Sequence, residues 1–390
     1  MVHHAGQQVA IVVFPSRRMK ADAPKSCPGW TVDDTFSGLT ILRDPPKPEL
    51  DICTLHGLNG NAFDTFASQS YMWPLDFLPE HSHLQRSRVM TYGYSSRLRD
   101  DSNVSGLLEW ASGFLSEVSS VRITQQERSR PIIFVCHSLG GLVAREAMVE
   151  LDREPKLYPG LNPRHCGLLF LATPHSGVTL ADLNPYLVQL AEVAGIRARS
   201  FTNMLESFNH SSRTSKRDFG RLPHVPPYEC LYETRKMKVG GRKKLIVTAD
   251  SAGLNGVDAK PMSNVDHKDI CRFPSDAHPG YLQIGECLVR IRNSILEAID
   301  AADDGKPPEY LPSEALLEKE DTSATLSPAI SRPTSGIRAG EGTGGSISRT
   351  ENSVVIGGGR ATGATMKLRD LQNFRGRVEG GTGHGAVVVM

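Results

Sequence analysis

Six short, almost uninterrupted apolar runs recur along the chain with helix-period segments between them. That alternation constrains the fold more than any other feature of the sequence. The runs are D-I-C-T-L (51–55), R-V-M-T-Y-G-Y (88–94), P-I-I-F-V-C (131–136), G-L-L-F-L-A-T (167–173), Y-E-C-L-Y-E (228–233) and L-I-V-T-A (245–249). A strand covered on both faces loses the polar half of an alternating pattern, so such runs read as parallel strands in the middle of a sheet. Between them, Val104, Leu107, Ala111, Phe114 and Val118 repeat at helical spacing, as do Ile284, Leu288, Ile291, Ile295 and Ile299. Strand and helix in turn predict an α/β fold with a mostly parallel central sheet and helices on both faces.

The alternation occupies residues 36–303. Residues 1–35 form an irregular, poorly patterned lead-in. Composition shifts near residue 306, and 14 of the chain's 36 glycines lie between 336 and 390. Such a stretch buries too little apolar surface to offset its ordering entropy, so 304–390 is expected to be a linker and a disordered, low-complexity tail. Within it, N-S-V-V-I-G-G-G-R-A-T-G (352–363) and G-R-V-E-G-G-T-G-H-G-A-V-V-V (376–389) pair β-branched runs with glycines. That pairing raises self-assembly of the tail by strand stacking as a hypothesis beside plain disorder.

Charge and cysteine usage narrow the partners. With 44 basic and 43 acidic residues, the chain has no electrostatic reason to bind nucleic acid. Its seven cysteines are odd in number and scattered, with neither a disulfide framework nor a C-x-x-C metal motif. The expectation is an intracellular, cytoplasmic protein in a reducing compartment, without a metal. No apolar segment approaches the length of a membrane span, and V-A-I-V-V-F (9–14) lacks the flanks of a secretory signal. Membrane contact, where it occurs, is expected to be peripheral.

The chemistry centres on V-C-H-S-L-G-G (135–141). Ser138 falls between an apolar run and the helical pattern L-V-A-R-E-A-M-V-E-L, the strand-to-helix setting of a nucleophile elbow. Small neighbours are needed at such a turn. Gly140 and Gly141 supply them on one side, and Cys136 stands where the usual pattern has glycine. The plainer reading is that Ser138 merely caps a helix. A second motif favours catalysis: L-H-G-L-N-G (55–60) follows the first central strand. There an oxyanion loop would offer the Leu58 N–H, alongside the Leu139 N–H after the nucleophile. His56 is expected to brace that loop.

A nucleophilic serine needs a base and an acid that orients it, and in this fold the order along the chain is Ser, acid, His. Of His175, His210, His224, His267 and His278, which follow the serine, His267, after the last strand-like run and before the closing helix, is the preferred base; His278 is the nearest rival, and His175 precedes any plausible acid. Glu233, ending Y-E-C-L-Y-E, is the preferred acid, and Asp250, ending L-I-V-T-A-D, is the alternative. Met72, Trp73 and Phe77 suit either an apolar entrance or the core.

Taken together, W-P-L-D-F-L-P-E (73–80), R-V-M-T-Y-G-Y (88–94), V-C-H-S-L-G-G-L-V (135–143), F-L-A-T-P-H-S-G (170–177), A-D-S-A-G-L (249–254) and D-H-K-D-I-C-R-F (266–273) resemble serine-active-site-containing proteins. These are lipase-like α/β hydrolases of a type abundant in fungi. The resemblance spans about residues 38–300. It implies an α/β-hydrolase fold with Ser138 as nucleophile, His267 as base, Leu58 and Leu139 as oxyanion donors and, less uniformly, Glu233 as acid. It further implies ester or lipid substrates, no cofactor, and association with mitochondrial or endoplasmic reticulum membranes. Two functions are compatible with it: a serine hydrolase that cleaves or transfers an acyl ester, or a signalling module of immune-receptor type that keeps the fold with little turnover.

Overall fold

The computed structural model describes residues 36–68, 71–96, 106–175, 214–239 and 242–303, together with backbone strands at 2–4, 7–13, 30–33, 353–358 and 377–378. One sheet organises the molecule. In chain order its strands are β1 (Val2–His4), β2 (Gln7–Val13), β3 (Trp30–Asp33), β4 (Gly38–Arg43), β5 (Leu50–Leu55), β6 (Ser87–Gly93), β7 (Ile132–His137), β8 (Cys166–Leu171), β9 (Tyr228–Glu233), β10 (Lys260–Met262), β11 (Ser353–Gly358) and β12 (Arg377–Val378). The spatial order is β10-β9-β8-β7-β5-β6-β4-β1-β2-β11-β3, with β12 also on β2. Strands β10 through β6 are parallel, and pairing becomes antiparallel from β4 outward. This is an α/β-hydrolase fold.

Every residue of β5, β6, β7 and β8 is buried, which explains the loss of alternation in their sequences. Helix α1 (Leu107–Ser120) turns Leu107, Trp110, Ala111, Phe114, Leu115 and Val118 inward and packs on α2 (Leu139–Arg153). Helix α3 (Pro279–Asp303) covers the other face, laying Ile291 and Ile295 over Gly167 of β8. Each buried aliphatic side chain contributes about 1.5–3 kcal/mol by leaving water. Trp73, Met72 and Phe77 belong to this core, and the Trp73 indole donates to the Cys271 carbonyl at 3.0 Å.

Two differences from the sequence reading have physical causes. The run L-I-V-T-A is not a strand, because the backbone amides of Ile246 and Val247 donate to the Glu233 carboxylate instead of to a neighbouring strand. The last parallel strand is the short K-P-M of β10, whose proline restricts it to the sheet edge. The lead-in contributes β1, β2 and β3, and the first tail motif supplies β11 between β2 and β3. The run Ala386–Val389 and Val104 lie outside the described residues.

At the amino edge of the parallel strands, Asp51 is fully buried at the start of β5. Its oxygens meet Arg88 at 2.7 and 3.1 Å and Arg130 at 2.7 Å, and Arg122 joins them. Arg88 also reaches Glu127. Among the described residues, six cysteines are free thiols, no cluster of metal-ligating side chains occurs, and no helix is long and apolar enough to cross a membrane.

Candidate active site

The chain runs from β5 to β6 on one side and then crosses to β7 on the other, so the loops leaving β5 and β7 diverge from adjacent strands. In parallel sheets such a switch point opens a crevice at the carboxyl ends of the strands. The two motifs singled out in the sequence sit there, L-H-G-L-N-G after β5 and H-S-L-G-G after β7.

Ser138 adopts φ 54° and ψ −120°, a conformation rare for a residue with a side chain. Its amide still donates to Leu171 O at 2.9 Å, continuing the ladder to β8, while α2 begins at the next residue. The turn is tight because the β5 loop presses against it. A Cβ at Gly140 would lie 2.4 Å from the His56 carbonyl oxygen, and one at Gly57 would lie 2.8 Å from Ser138 Cβ. Cys136 needs no such economy: it lies within β7, between Leu55 and Phe170, fully buried.

His267 Nε2 lies 3.1 Å from Ser138 Oγ, and its Nδ1 lies 3.2 Å from Glu233 Oε2. All three side chains are buried. Glu233 ends β9, and its second oxygen accepts from the amides of Ile246 (2.7 Å) and Val247 (2.8 Å). Two backbone dipoles thus fix one carboxylate oxygen, leaving the other to His267. Asp250, the alternative acid, is solvent-exposed in a short helical turn capped by Thr248. The loop carrying His267 is tied to the end of β9, with the amides of Thr234 and Arg235 donating to Val265 O at 3.2 and 2.8 Å.

The rival histidines do other work. His278 accepts from the Gly280 amide at 3.1 Å at the start of α3. His175 is buried with Nδ1 3.3 Å from Arg145, and its pKa is held well below the ordinary value by burial and by that arginine. His210 lies outside the described residues. His56 braces the β5 loop. Its Nδ1 donates to Gly57 O (2.8 Å), its Nε2 accepts from the Tyr94 amide (3.2 Å), and its ring stacks on Tyr94 at 4.4 Å. Ser96 adds a further bond to Gly57 O at 3.0 Å. Leu58 follows Gly57 on this braced loop, and Leu139 opens α2. Neither amide has an acceptor among the described residues.

Sequence reasoning gave no role to His137, beside the nucleophile. Its Nε2 lies 2.8 Å from the carbonyl oxygen of His267. Its place in a fully apolar-looking strand was the one signal that could have marked it, since a buried imidazole must find a partner.

An arrangement of this kind can pass a proton from a serine hydroxyl to an imidazole and hold the resulting imidazolium beside a carboxylate. Its sequence has known relatives. Residues 47–207 match the family described as "Putative serine esterase (DUF676)". The SERAC1 proteins of Bos taurus and Homo sapiens are 24% and 23% identical over 281 residues, covering 62% of this chain. The chain spans 40% of the length of those curated relatives. Among solved structures it is similar to the mature lipase BlEst2 of Bacillus licheniformis. That match has a TM-score of 0.41 at 16% identity, over 68% of this chain and 99% of that one. It is likewise similar to the phospholipase PlaB from Legionella pneumophila in complex with thio-NAD. Here the TM-score is 0.43 at 15% identity, over 65% and 62% of the two chains.

Proposed function

We propose that residues 36–303 form a hydrolase unit cleaving acyl esters through Ser138, a reading supported by the match of residues 47–207 to the family described as "Putative serine esterase (DUF676)". The observation that carries this reading is the 3.1 Å approach of His267 Nε2 to a serine oxygen on a strained strand-to-helix turn. His267 takes the Ser138 proton as the oxygen attacks the ester carbonyl, and the charge that develops on the carbonyl oxygen is met by the Leu58 and Leu139 amides. Glu233 keeps the proton of His267 on Nδ1 and stabilises the imidazolium. His267 then protonates the departing alcohol, leaving an acyl group on Ser138. Water, activated by the same imidazole, releases the acid; an alcohol in place of water would make the reaction an acyl transfer. The chemistry calls for no metal and no organic cofactor. Ester or lipid substrates are the class this site suits.

Labelling with a fluorophosphonate probe tests the reading. The wild type should be labelled, and Ser138→Ala and His267→Ala should abolish labelling while remaining folded. Ester turnover should fall by about 10⁴-fold or more in both variants. A folded wild type that takes no label would overturn the proposal and favour the signalling-module alternative.

A further inference from the structure

His137 is the last residue of β7 and immediate neighbour of Ser138, and it is 8% exposed. Its Nε2 stands 2.8 Å from the main-chain oxygen of His267. A carbonyl oxygen only accepts, so Nε2 carries the hydrogen. The imidazole donates across 130 residues of sequence to the main chain of the histidine that faces the nucleophile. Its other nitrogen, Nδ1, has no partner among the described residues and lies against the β5 loop, where a Cβ at Gly57 would come within 3.2 Å of it. The two imidazole rings are 5.0 Å apart.

The His267 loop is fastened at two places on different strands. Thr234 and Arg235, past the end of β9, hold it through Val265 O, and His137, at the end of β7, holds it through His267 O. The first fastening lies two residues from His267 and leaves freedom about the intervening backbone torsions. The second acts on the residue itself. It originates next to Ser138, so any shift of β7 carries nucleophile and base together. A buried carbonyl that lost its donor would cost free energy or move to find another. A displacement of about 1 Å between reacting groups is enough to cost about 100-fold in rate.

We propose that His137 is a positioning residue of the active site: its Nε2–H holds the main chain of His267 at the place from which the ring reaches Ser138 Oγ. This rests on the reading of Ser138 and His267 as nucleophile and base. Burial, with His267 and Arg272 nearby, keeps the pKa of His137 well below its ordinary value, consistent with a neutral ring that has only one proton to place.

His137→Leu and His137→Gln in the full chain test the proposal, because the glutamine amide nitrogen can occupy the place of Nε2 and leucine cannot. Fluorophosphonate labelling of Ser138 and kcat on a p-nitrophenyl ester should drop about 100-fold in the leucine variant. KM should stay within about threefold, and Tm should hold within the few degrees that a single lost bond accounts for. Amide hydrogen exchange across 264–270 should accelerate in that variant. Glutamine should restore rate and exchange protection to within about fivefold of wild type, as a donor of equal reach would. Wild-type labelling in the leucine variant would overturn the inference, as would equal losses in both variants. If the wild type takes no label the esterase reading fails, while the exchange comparison still decides whether His137 holds the loop.

Discussion

Two buried carboxylates stand at opposite ends of the same parallel sheet, and they are held in different ways. Asp51, at the amino edge, and Glu233, at the carboxyl edge, are both 0% exposed. Asp51 is met by the guanidinium groups of Arg88, Arg122 and Arg130, each a permanent charge. Glu233 is met by two backbone amides and one imidazole. A carboxylate clasped by fixed cations is committed to a single charge arrangement, and its work is to join β5, β6 and the segment before β7. A carboxylate held by dipoles leaves a place beside it where a positive charge can arise and vanish, which is what an imidazole in proton transfer requires. Burial serves assembly at one end and, in the proposed mechanism, reactivity at the other.

Of the two carboxylates, Glu233 is the one whose substitution should cost more. Glu233→Gln keeps an acceptor for Ile246 and Val247 but loses the charge opposite His267, so kcat should fall about 10³–10⁴-fold, a barrier rise of about 4–5 kcal/mol, with little change in the urea midpoint. Asp51→Asn should show the converse. Leaving three buried guanidiniums short of their partner should cost about 3–5 kcal/mol in urea unfolding, with the fluorophosphonate labelling rate of the folded fraction unchanged. If the two variants exchange these phenotypes, the division between the edges is wrong. Gly57→Ala should push the β5 loop off Ser138 Cβ, lowering kcat about 10–100-fold through displacement of the oxyanion donor.

A smaller effect concerns pH. Burial holds His137 and His175 well below the ordinary value near 6.5. On acidification the unfolded chain therefore binds protons before the native one, and stability is full above about pH 6.5 and declines below it. Urea midpoints measured from pH 8 to pH 5 should fall on the acid side, and His175→Gln should flatten that fall. Least of all should Asp250→Asn matter, since an exposed carboxylate without a partner in the site changes turnover by about twofold or less. A large loss there with an active Glu233→Gln variant would exchange the two acids.

Much of this was legible because strands buried on both faces must be apolar throughout, which marks β5 to β8 without reference to their partners. The turn at Ser138 was legible for a related reason: few residue types tolerate a strand running directly into a helix through a residue at positive φ. Glu233 was readable from its place at a strand end, but which carboxylate meets His267 depended on where 245–249 went. That segment is apolar and β-branched like a strand, and only the carboxylate that captures its amides keeps it out of the sheet. Strand β4 was missed because an antiparallel strand outside the fully buried parallel set has a mixed pattern, and β10 because three residues with a proline carry almost no periodic signal. His137 lay in plain view, but its partner is a main-chain oxygen 130 residues away, and no side-chain pattern announces such a contact.

The capture of Ile246 and Val247 by Glu233 has a consequence for how the chain tolerates change. Between Glu233 and Ile246 runs a hairpin, Met237–Val239 paired with Arg242–Lys244. The segment entering it is tethered through Thr234 and Arg235, and the segment leaving it is tethered through the Glu233 carboxylate. The hairpin therefore runs between two anchored posts, and beyond Met237, which packs on the core, its length and composition can vary without moving the carboxylate. It is the natural position on this scaffold for a graft: a longer or differently charged arm beyond Met237 would leave the Glu233 carboxylate in register.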